Sequence, residues 1–135
     1  MHIFNATDGK VIASCHGHGG GAEAKFSADA RLVLAWWHYG GPVAVYDAAT
    51  GDELDQFSKL DLPVVSADWS PDGKRILVGC KNANMVLLDA ETGATLQTFT
   101  GHVGPVWAVC FSADGKFVAS SCNDSKVRVF RVAVK

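Results

Sequence analysis

Blocks of like charge are missing from this sequence. Only 19% of its 135 residues are charged, the formal net charge is -2, and the 12 Lys and Arg residues are scattered along the chain. Nucleic acids and anionic membranes are bound through many clustered cations, so this distribution argues against both kinds of partner. We therefore expect partners that are neither nucleic acid nor membrane.

Long hydrophobic runs are missing as well. No apolar stretch approaches the roughly 18 to 20 residues that a membrane-spanning helix requires. The first ten residues, MHIFNATDGK, lack the charged and then apolar form of a signal peptide. Because 48% of the residues are hydrophobic, the chain can bury a core. We expect a soluble cytoplasmic protein, with the nucleus as the alternative compartment.

Closely spaced cysteine pairs are absent too. The four cysteines are Cys15, Cys80, Cys110 and Cys122. Without C-x-x-C spacing they indicate free, buried thiols in a reducing compartment. The stretch CHGHGGG, residues 15–21, holds metal-binding residue types, but successive strand residues point to opposite faces, so Cys15, His16 and His18 are not expected to converge on one ion. We expect no metal and no cofactor.

What the sequence does contain is an internal repeat, found by shifting the chain against itself. The segments IFNATDGKVIASC, VYDAATGDELDQF and LLDAETGATLQTF begin at Ile3, Val45 and Leu87, and each starts 42 residues after the one before. A second series, FSADA, WSPDG and FSADG, begins at Phe26, Trp69 and Phe111, with steps of 43 and 42. The extra residue of the first step lies in WWHYGG, residues 36–41. Two motifs with one period indicate a repeat architecture.

Each period reads as short strands joined by tight turns. In AVCFSADGKFVASSCNDSKVRVF, residues 108–130, β-branched and aromatic runs break at Ser-Ala-Asp-Gly and at Asn-Asp-Ser, which is hairpin turn chemistry. The recurring Asp29, Asp72 and Asp114 are therefore predicted to be turn residues. No run of ten or more residues shows helical spacing. The sequence predicts an all-β protein with four short strands per unit.

Residues 101–130, GHVGPVWAVCFSADGKFVASSCNDSKVRVF, resemble a nearly complete repeat of the WD-repeat (WD40) family. The resemblance implies a β-propeller, in which four-stranded antiparallel blades surround a central channel. Residues 1–17 would supply the third and outermost strands of a preceding blade. Residues 18–59 and 60–100 would form two repeats, and 101–135 a last repeat without its outermost strand. About three blades are fewer than a closed ring needs, so we expect an incomplete ring, the C-terminal part of a larger propeller.

The resemblance also implies a buried hydrogen-bonded network within a blade, made in the family by His, Ser or Thr, Asp and Trp. The matching residues in the last repeat are His102, Ser120 and Asp124, with Phe130 in place of Trp. His18 is expected to be the structural histidine of an earlier repeat. In the middle repeat the matching positions hold Leu60, Val78, Asn82 and Leu88, so we expect packing to hold that blade.

The family resemblance implies a non-catalytic protein-protein interaction scaffold, a propeller subunit of an intracellular complex. The alternative is a reader of a peptide mark or nucleic acid through the channel face. We expect no enzyme, since His102, Ser120 and Asp124 belong to the repeat pattern. Partners would be other proteins or the missing blades, and the chain could also self-associate. The predicted contact residues are Glu23, Trp37, His38, Tyr39, Pro63, Val65, Lys81, Pro105, Trp107, Asn123 and Ser125.

Overall fold

The structure is a computed structural model that describes residues 1–18, 21–37, 42–54, 57 and 62–133. The described residues form twelve strands and no α-helix, which confirms the all-β prediction. The strands are β1 (His2–Phe4), β2 (Val11–Ser14), β3 (Ala22–Phe26), β4 (Leu32–Trp37), β5 (Val43–Asp47), β6 (Val64–Trp69), β7 (Arg75–Cys80), β8 (Met85–Asp89), β9 (Thr95–Phe99), β10 (Val106–Phe111), β11 (Phe117–Cys122) and β12 (Val127–Arg131). In these ranges no helix has the length and apolar character needed to cross a membrane.

The strands form four antiparallel sheets in chain order, which we call blades 1 to 4. Blade 1 is β1-β2, blade 2 is β3-β4-β5, blade 3 is β6-β7-β8-β9 and blade 4 is β10-β11-β12. In blade 2 a single bridge between Tyr46 and Glu53 is all that is described of a fourth strand. The sheets fall within the predicted units 1–17, 18–59, 60–100 and 101–135, whose bounds remain predictions. The blades form an arc that does not close into a ring.

The hairpin turns between first and second strands are built by the repeated Ser-x-Asp-Gly sequence. In blade 3 the Ser70 hydroxyl donates to Asp72 Oδ1 at 2.6 Å, and the Lys74 amide donates to the same oxygen at 3.0 Å. These bonds favour the charged carboxylate, so the Ser70 hydroxyl in particular lowers the pKa of Asp72. Gly73 completes the turn with a φ of 69°, a conformation that favours glycine.

Consecutive blades bury an apolar core between them. Between blades 2 and 3 it contains Leu34, Val45, Ile76 and Val78, and between blades 3 and 4 it contains Leu77, Met85, Leu87, Val106 and Val118. The fit between blades 3 and 4 is close at Gly79, where an added Cβ would lie 2.9 Å from Val109 Cγ1. Glycine is required there because the first strand of blade 4 lies directly against the sheet of blade 3.

Polar contacts between the inner strands fix the register of neighbouring blades. Asp68 on β6 is buried, and its Oδ2 accepts the Phe111 amide of blade 4 at 2.8 Å. The same carboxylate forms an ion pair with Lys25 of blade 2. The Trp69 indole also donates to the Lys25 carbonyl at 3.1 Å. Blade 3 is therefore bonded to both neighbours through one strand, β6.

Three of the four cysteines are free and buried, as the sequence predicted: Cys15, Cys80 and Cys122. The prediction is wrong for Cys110, which is free but exposed. Its side chain lies on the face of blade 4 that no further blade covers, and this local environment could not be read from the apolar run around it.

Candidate interaction face

In blades 3 and 4 the loop that precedes the inner strand lies beside the hairpin between the second and third strands, at the same end of the strands. In blade 3 the Lys81 amide donates to the Pro63 carbonyl at 2.8 Å, and in blade 4 the Asn123 amide donates to the Pro105 carbonyl at 3.0 Å. Each bond ties a loop to the neighbouring hairpin. We call the surface that these loops and hairpins form in blades 3 and 4 the interaction face, and define it by Pro63, Lys81, Val103, Pro105, Trp107, Asn123 and Ser125.

The hairpins of this face have a fixed backbone. In blade 4 the Ser125 amide donates to the Cys122 carbonyl at 3.1 Å, and Ser125 has a φ of 62°. In blade 3 the matching residue, Ala83, has a φ of 69°. Non-glycine residues take this conformation only where surrounding contacts hold them. The two hairpins therefore present their side chains from one rigid framework.

Trp107 is turned outward by a β-bulge. In β10 the ladder partners pass from Val106 directly to Ala108, so Trp107 is the extra residue. A bulge of this kind changes the direction of a side chain at the end of a strand. The Trp107 side chain is 51% exposed, and its indole nitrogen donates to Asn123 Oδ1 at 3.3 Å. The result is a large aromatic surface held in one orientation.

Val103 is a residue of this face that the sequence analysis missed. It is largely exposed and lies in the loop that leads to β10, between the buried His102 and Gly104. Gly104 lies close to Asn123, since an added Cβ would be 3.3 Å from Asn123 Cβ. The signal was present in GHVGPVW, where a valine stands between a histidine and a glycine in a loop. Val103 and Trp107 together make this part of the face apolar.

Several predicted contact residues occupy the interaction face, and others do not. Lys81, Asn123 and Ser125 are exposed at the hairpins, and Pro63 and Pro105 are half-buried in the loops. Val65 is the extra residue of the matching bulge in β6, but its side chain is buried. It therefore offers a partner no surface. His38 and Tyr39 lie outside the described residues.

Trp37 does not lie at a hairpin tip, as its place in WWHYGG suggested. It is the last residue of β4, is 4% exposed, and packs in the core between blades 1 and 2. Its ring meets the His18 ring edge-on at a centroid distance of 5.2 Å, and it covers Gly17. The indole packs against blade 1, so its large apolar surface is part of the core.

Glu23 also differs from its predicted place. Counting 42 residues back from Val65 put Glu23 in a loop, but it lies within β3 and pairs with Trp36 across the ladder. The ladder of β3 has no register shift, unlike the ladders of β6 and β10. Because blade 2 lacks the bulge, Glu23 takes the position of Ser66 and Ala108 rather than that of Trp107.

The predicted structural network is divided into two parts in blade 4. His102 and Ser120 are both buried, and His102 Nε2 lies 2.7 Å from Ser120 Oγ. The Phe130 ring stacks at an angle beside His102, at a centroid distance of 5.6 Å. Its other neighbour is Phe99 of blade 3, at 5.2 Å. Phe130 thus fills the space beside the histidine without supplying a hydrogen bond.

Asp124 faces Arg128 rather than His102. The carboxylate and guanidinium form a two-point pair, with Oδ2 to Nη2 at 2.6 Å and Oδ1 to Nη1 at 3.1 Å. Donation by Arg128 lowers the pKa of Asp124, and the same contact raises the pKa of Arg128. Among the described residues His102 Nδ1 has no hydrogen-bond partner. Burial first, and then the charge of Arg128, lower the pKa of His102 and favour its neutral form.

His18 has different neighbours from His102. Its side chain is partly exposed and Nε2 lies 2.9 Å from both carboxylate oxygens of Glu53. Cys15 instead packs in the core between blades 1 and 2, and the His16 carbonyl accepts the Tyr46 hydroxyl at 2.7 Å. Cys15, His16 and His18 therefore have separate partners.

Comparison with known families agrees with this geometry. A family model described as WD domain, G-beta repeat, matches residues 93–131. A second, described as Anaphase-promoting complex subunit 4 WD40 domain, matches residues 44–105. No curated protein matches the chain significantly.

The fold and the repeated loops define an arc of propeller blades. Both matching models are WD-repeat models, and between them they extend over blades 3 and 4 and part of blade 2. The chain belongs to the WD-repeat family. Repeats of this family indicate a propeller domain for protein-protein interaction, and such domains are generally non-catalytic.

Proposed function

We propose that this chain is a non-catalytic platform for protein binding, a propeller subunit of an intracellular complex, and that the interaction face of blades 3 and 4 carries the contact. The observation behind this proposal is Trp107, an indole that is half exposed and held in place by Asn123. Large aromatic side chains with restricted motion are frequent binding anchors, because they bury much apolar area at a small entropic cost.

The residues around Trp107 support the same function. Val103 adds apolar surface, and the exposed Lys81, Asn123 and Ser125 provide a polar rim. An apolar centre with a polar rim is the usual composition of a protein interface. The rigid turns beneath these residues reduce the entropy lost on binding. The match to a WD40 domain described as a subunit of a complex agrees with a role within an assembly.

The polar residues of blade 4 support a non-catalytic function. A nucleophilic serine must reach its substrate, and its histidine must be oriented by a third group. Ser120 is buried, and Asp124 is bound to Arg128 instead of His102. The three residue types of a hydrolase are present, but their arrangement serves the packing of the blade.

The test is a comparison of Trp107→Ala with Leu96→Ala, since both side chains are 51% exposed and Leu96 lies on β9, away from the interaction face. Wild-type chain and both variants would be immobilised and incubated with cell extract, and retained proteins quantified by mass spectrometry. We expect specific proteins to be retained by wild type and Leu96→Ala but lost with Trp107→Ala. Equal retention by both variants, with unchanged circular dichroism, would contradict the proposal.

A further inference from the structure

The apolar centre of the interaction face lies between the hairpins of two neighbouring blades. Trp107 is bonded through its indole nitrogen to Asn123 of the blade 4 hairpin. Blade 3 lies close as well, since an added Cβ at Gly79 would be 3.0 Å from the carbonyl oxygen of Val106, the residue before Trp107. Lys81 begins the blade 3 hairpin two residues after Gly79. A partner that packs on Trp107 therefore meets both hairpins.

Each of the two hairpins carries one exposed lysine, Lys81 in blade 3 and Lys126 in blade 4. Neither ammonium group has an ion-pair partner in the part of the chain that the structure describes. The hairpins contain one carboxylate, Asp124, and both of its oxygens are bonded to Arg128. The two lysines therefore leave a local positive charge here, although the chain as a whole has a formal net charge of -2.

Positive charge beside an apolar surface favours a partner that has negative charge beside an apolar side chain. Complementary charge speeds association and excludes partners of the wrong sign. An uncharged partner that covered a lysine ammonium would remove its water without replacing it. The chemistry of the interaction face is therefore suited to an acidic segment that also contains an apolar residue.

The kind of anion follows from the cations that are available. Phosphate groups are bound best by arginine, whose planar guanidinium donates two parallel hydrogen bonds. Arg128, on β12 next to the hairpin, already donates in this way to Asp124. Lysine offers a point charge, which pairs well with a carboxylate. Two lysines are also too few for a nucleic-acid backbone, which requires many clustered cations. These observations favour the carboxylates of a protein segment.

We propose that the interaction face binds an acidic peptide segment, in which an apolar side chain packs on Trp107 and Val103 and carboxylates on either side of it pair with Lys81 and Lys126. This inference rests on the proposed function, because it names the chemistry of the partner for the same face. Both lysines are exposed, so their substitution should leave the fold intact.

The first test identifies the peptides that the face selects. A phage library of random peptides would be depleted on immobilised Trp107→Ala chain and then selected on the wild-type chain. We expect the recovered sequences to share an apolar residue with Asp or Glu on both sides. Trp107-dependent sequences without an excess of Asp and Glu would overturn this inference and leave the proposed function intact. A selection that recovers no Trp107-dependent sequence would overturn both.

The second test measures the affinity of one selected peptide, labelled with fluorescein, by fluorescence anisotropy. The double variant Lys81→Glu/Lys126→Glu should weaken binding about tenfold or more at low ionic strength, and the difference should shrink as salt is added. Lys74→Glu/Lys116→Glu is the matched control, because it makes the same charge change on exposed lysines of the same two blades, at the other end of the strands. Its affinity should stay within about twofold of wild type.

A charge-swapped peptide, with Lys in place of each flanking acid, separates ion pairing from an effect on the fold. It should bind Lys81→Glu/Lys126→Glu more tightly than it binds wild type, which a misfolded variant could not do. The inference is wrong if the two double variants weaken binding of the acidic peptide equally, or if neither weakens it. It is also wrong if a single-stranded oligonucleotide displaces the peptide at a similar concentration, which would make this face a nucleic-acid surface.

Discussion

The first three strands of blade 3 and the three strands of blade 4 pair in the same order, yet the same rungs of the ladder are buried in blade 3 and open in blade 4. Leu87 of blade 3 pairs with Leu77 and is buried, whereas Val129 of blade 4 pairs with Ala119 and is exposed. The strands themselves are similar, so the difference lies in what packs on them. A propeller blade gains most of its burial from its neighbours, and one blade is not an independent folding unit.

The two blades also differ in the buried residue that occupies the same position of the second strand, Ser120 in blade 4 and Val78 in blade 3. Blade 4 places a bonded His102-Ser120 pair there, whereas blade 3 has the fully buried Val78. Replacing both members of a hydrogen-bonded pair by apolar residues can leave stability nearly unchanged, whereas replacing only one member leaves a buried polar atom without its partner. The comparison therefore makes different predictions for single and paired substitutions.

The largest expected effect comes from truncating the buried rung. Leu87→Ala should destabilise the chain by about 2 to 5 kcal/mol, since a cavity remains between blades 3 and 4. In dilute, monomeric chain Val129→Ala should change stability by no more than about 0.5 kcal/mol, because the side chain is already in water. Urea denaturation followed by circular dichroism measures both. Similar losses for the two variants would show that blade 4 is covered in the single chain.

A smaller effect is expected from breaking the polar pair of blade 4. Ser120→Val should cost about 1 to 3 kcal/mol, because it leaves His102 Nε2 buried without its partner. The double variant His102→Leu/Ser120→Val copies the residues at the matching positions of the middle repeat, Leu60 and Val78, and should recover much of that loss. A double-mutant cycle from urea denaturation gives the coupling. Additive losses would contradict a bonded unit.

The same pair gives blade 4 a dependence on acid. The folded-state pKa of His102 is lowered from 6.5, so the contribution of this residue to stability is complete above that pH and is lost as the pH falls below it. His102→Leu/Ser120→Val should be less sensitive between pH 7 and pH 5 than wild type. Equal loss of melting temperature in both proteins would show that His102 does not resist protonation.

The smallest effect concerns Tyr46, which shares its repeat position with Leu88 and Phe130. Its hydroxyl donates to the His16 carbonyl, and burial, reinforced by Glu53, raises its pKa to about 12. Because the folded-state pKa exceeds the ordinary value of 10, its contribution is complete below pH 10 and is lost as the pH rises towards 12.

Tyr46→Phe tests this contribution. At pH 7 the variant should lose about 1 kcal/mol with the hydrogen bond, but it should lose less stability than wild type between pH 10 and pH 11.5. Thermal melts at several pH values measure the difference. Parallel pH profiles for the two proteins would show that the Tyr46 phenol does not determine alkaline stability.

Much of the fold could be predicted from the sequence because turn chemistry recurs with the repeat. Ser70, Asp72 and Gly73 make the turn that their residue types favour, and such local bonds do not depend on distant contacts. The strands on either side follow from the alternation of apolar residues. For this reason the residue pattern alone was enough to predict the all-β architecture and the family.

The candidate site was harder to predict from the sequence, because the placement of its side chains depends on contacts with neighbouring blades. Trp37 looked like a hairpin-tip residue but is buried against blade 1. Glu23 was misplaced because a fixed step of 42 takes no account of the bulge that blade 2 lacks. Cys110 lies in an apolar run yet is exposed, since the strand that would cover it belongs to no described part of the chain.

The claim that consecutive blades bury their cores against one another can be tested by thiol labelling. In a Cys110→Ser chain the remaining thiols, Cys15, Cys80 and Cys122, are all buried, and burial raises the pKa of Cys80 to about 11. Under native conditions at pH 8 no thiol should react with a chromogenic disulfide reagent until the chain unfolds in denaturant. A rapid reaction of Cys80 or Cys122 in the folded chain would contradict the packing described for blades 3 and 4.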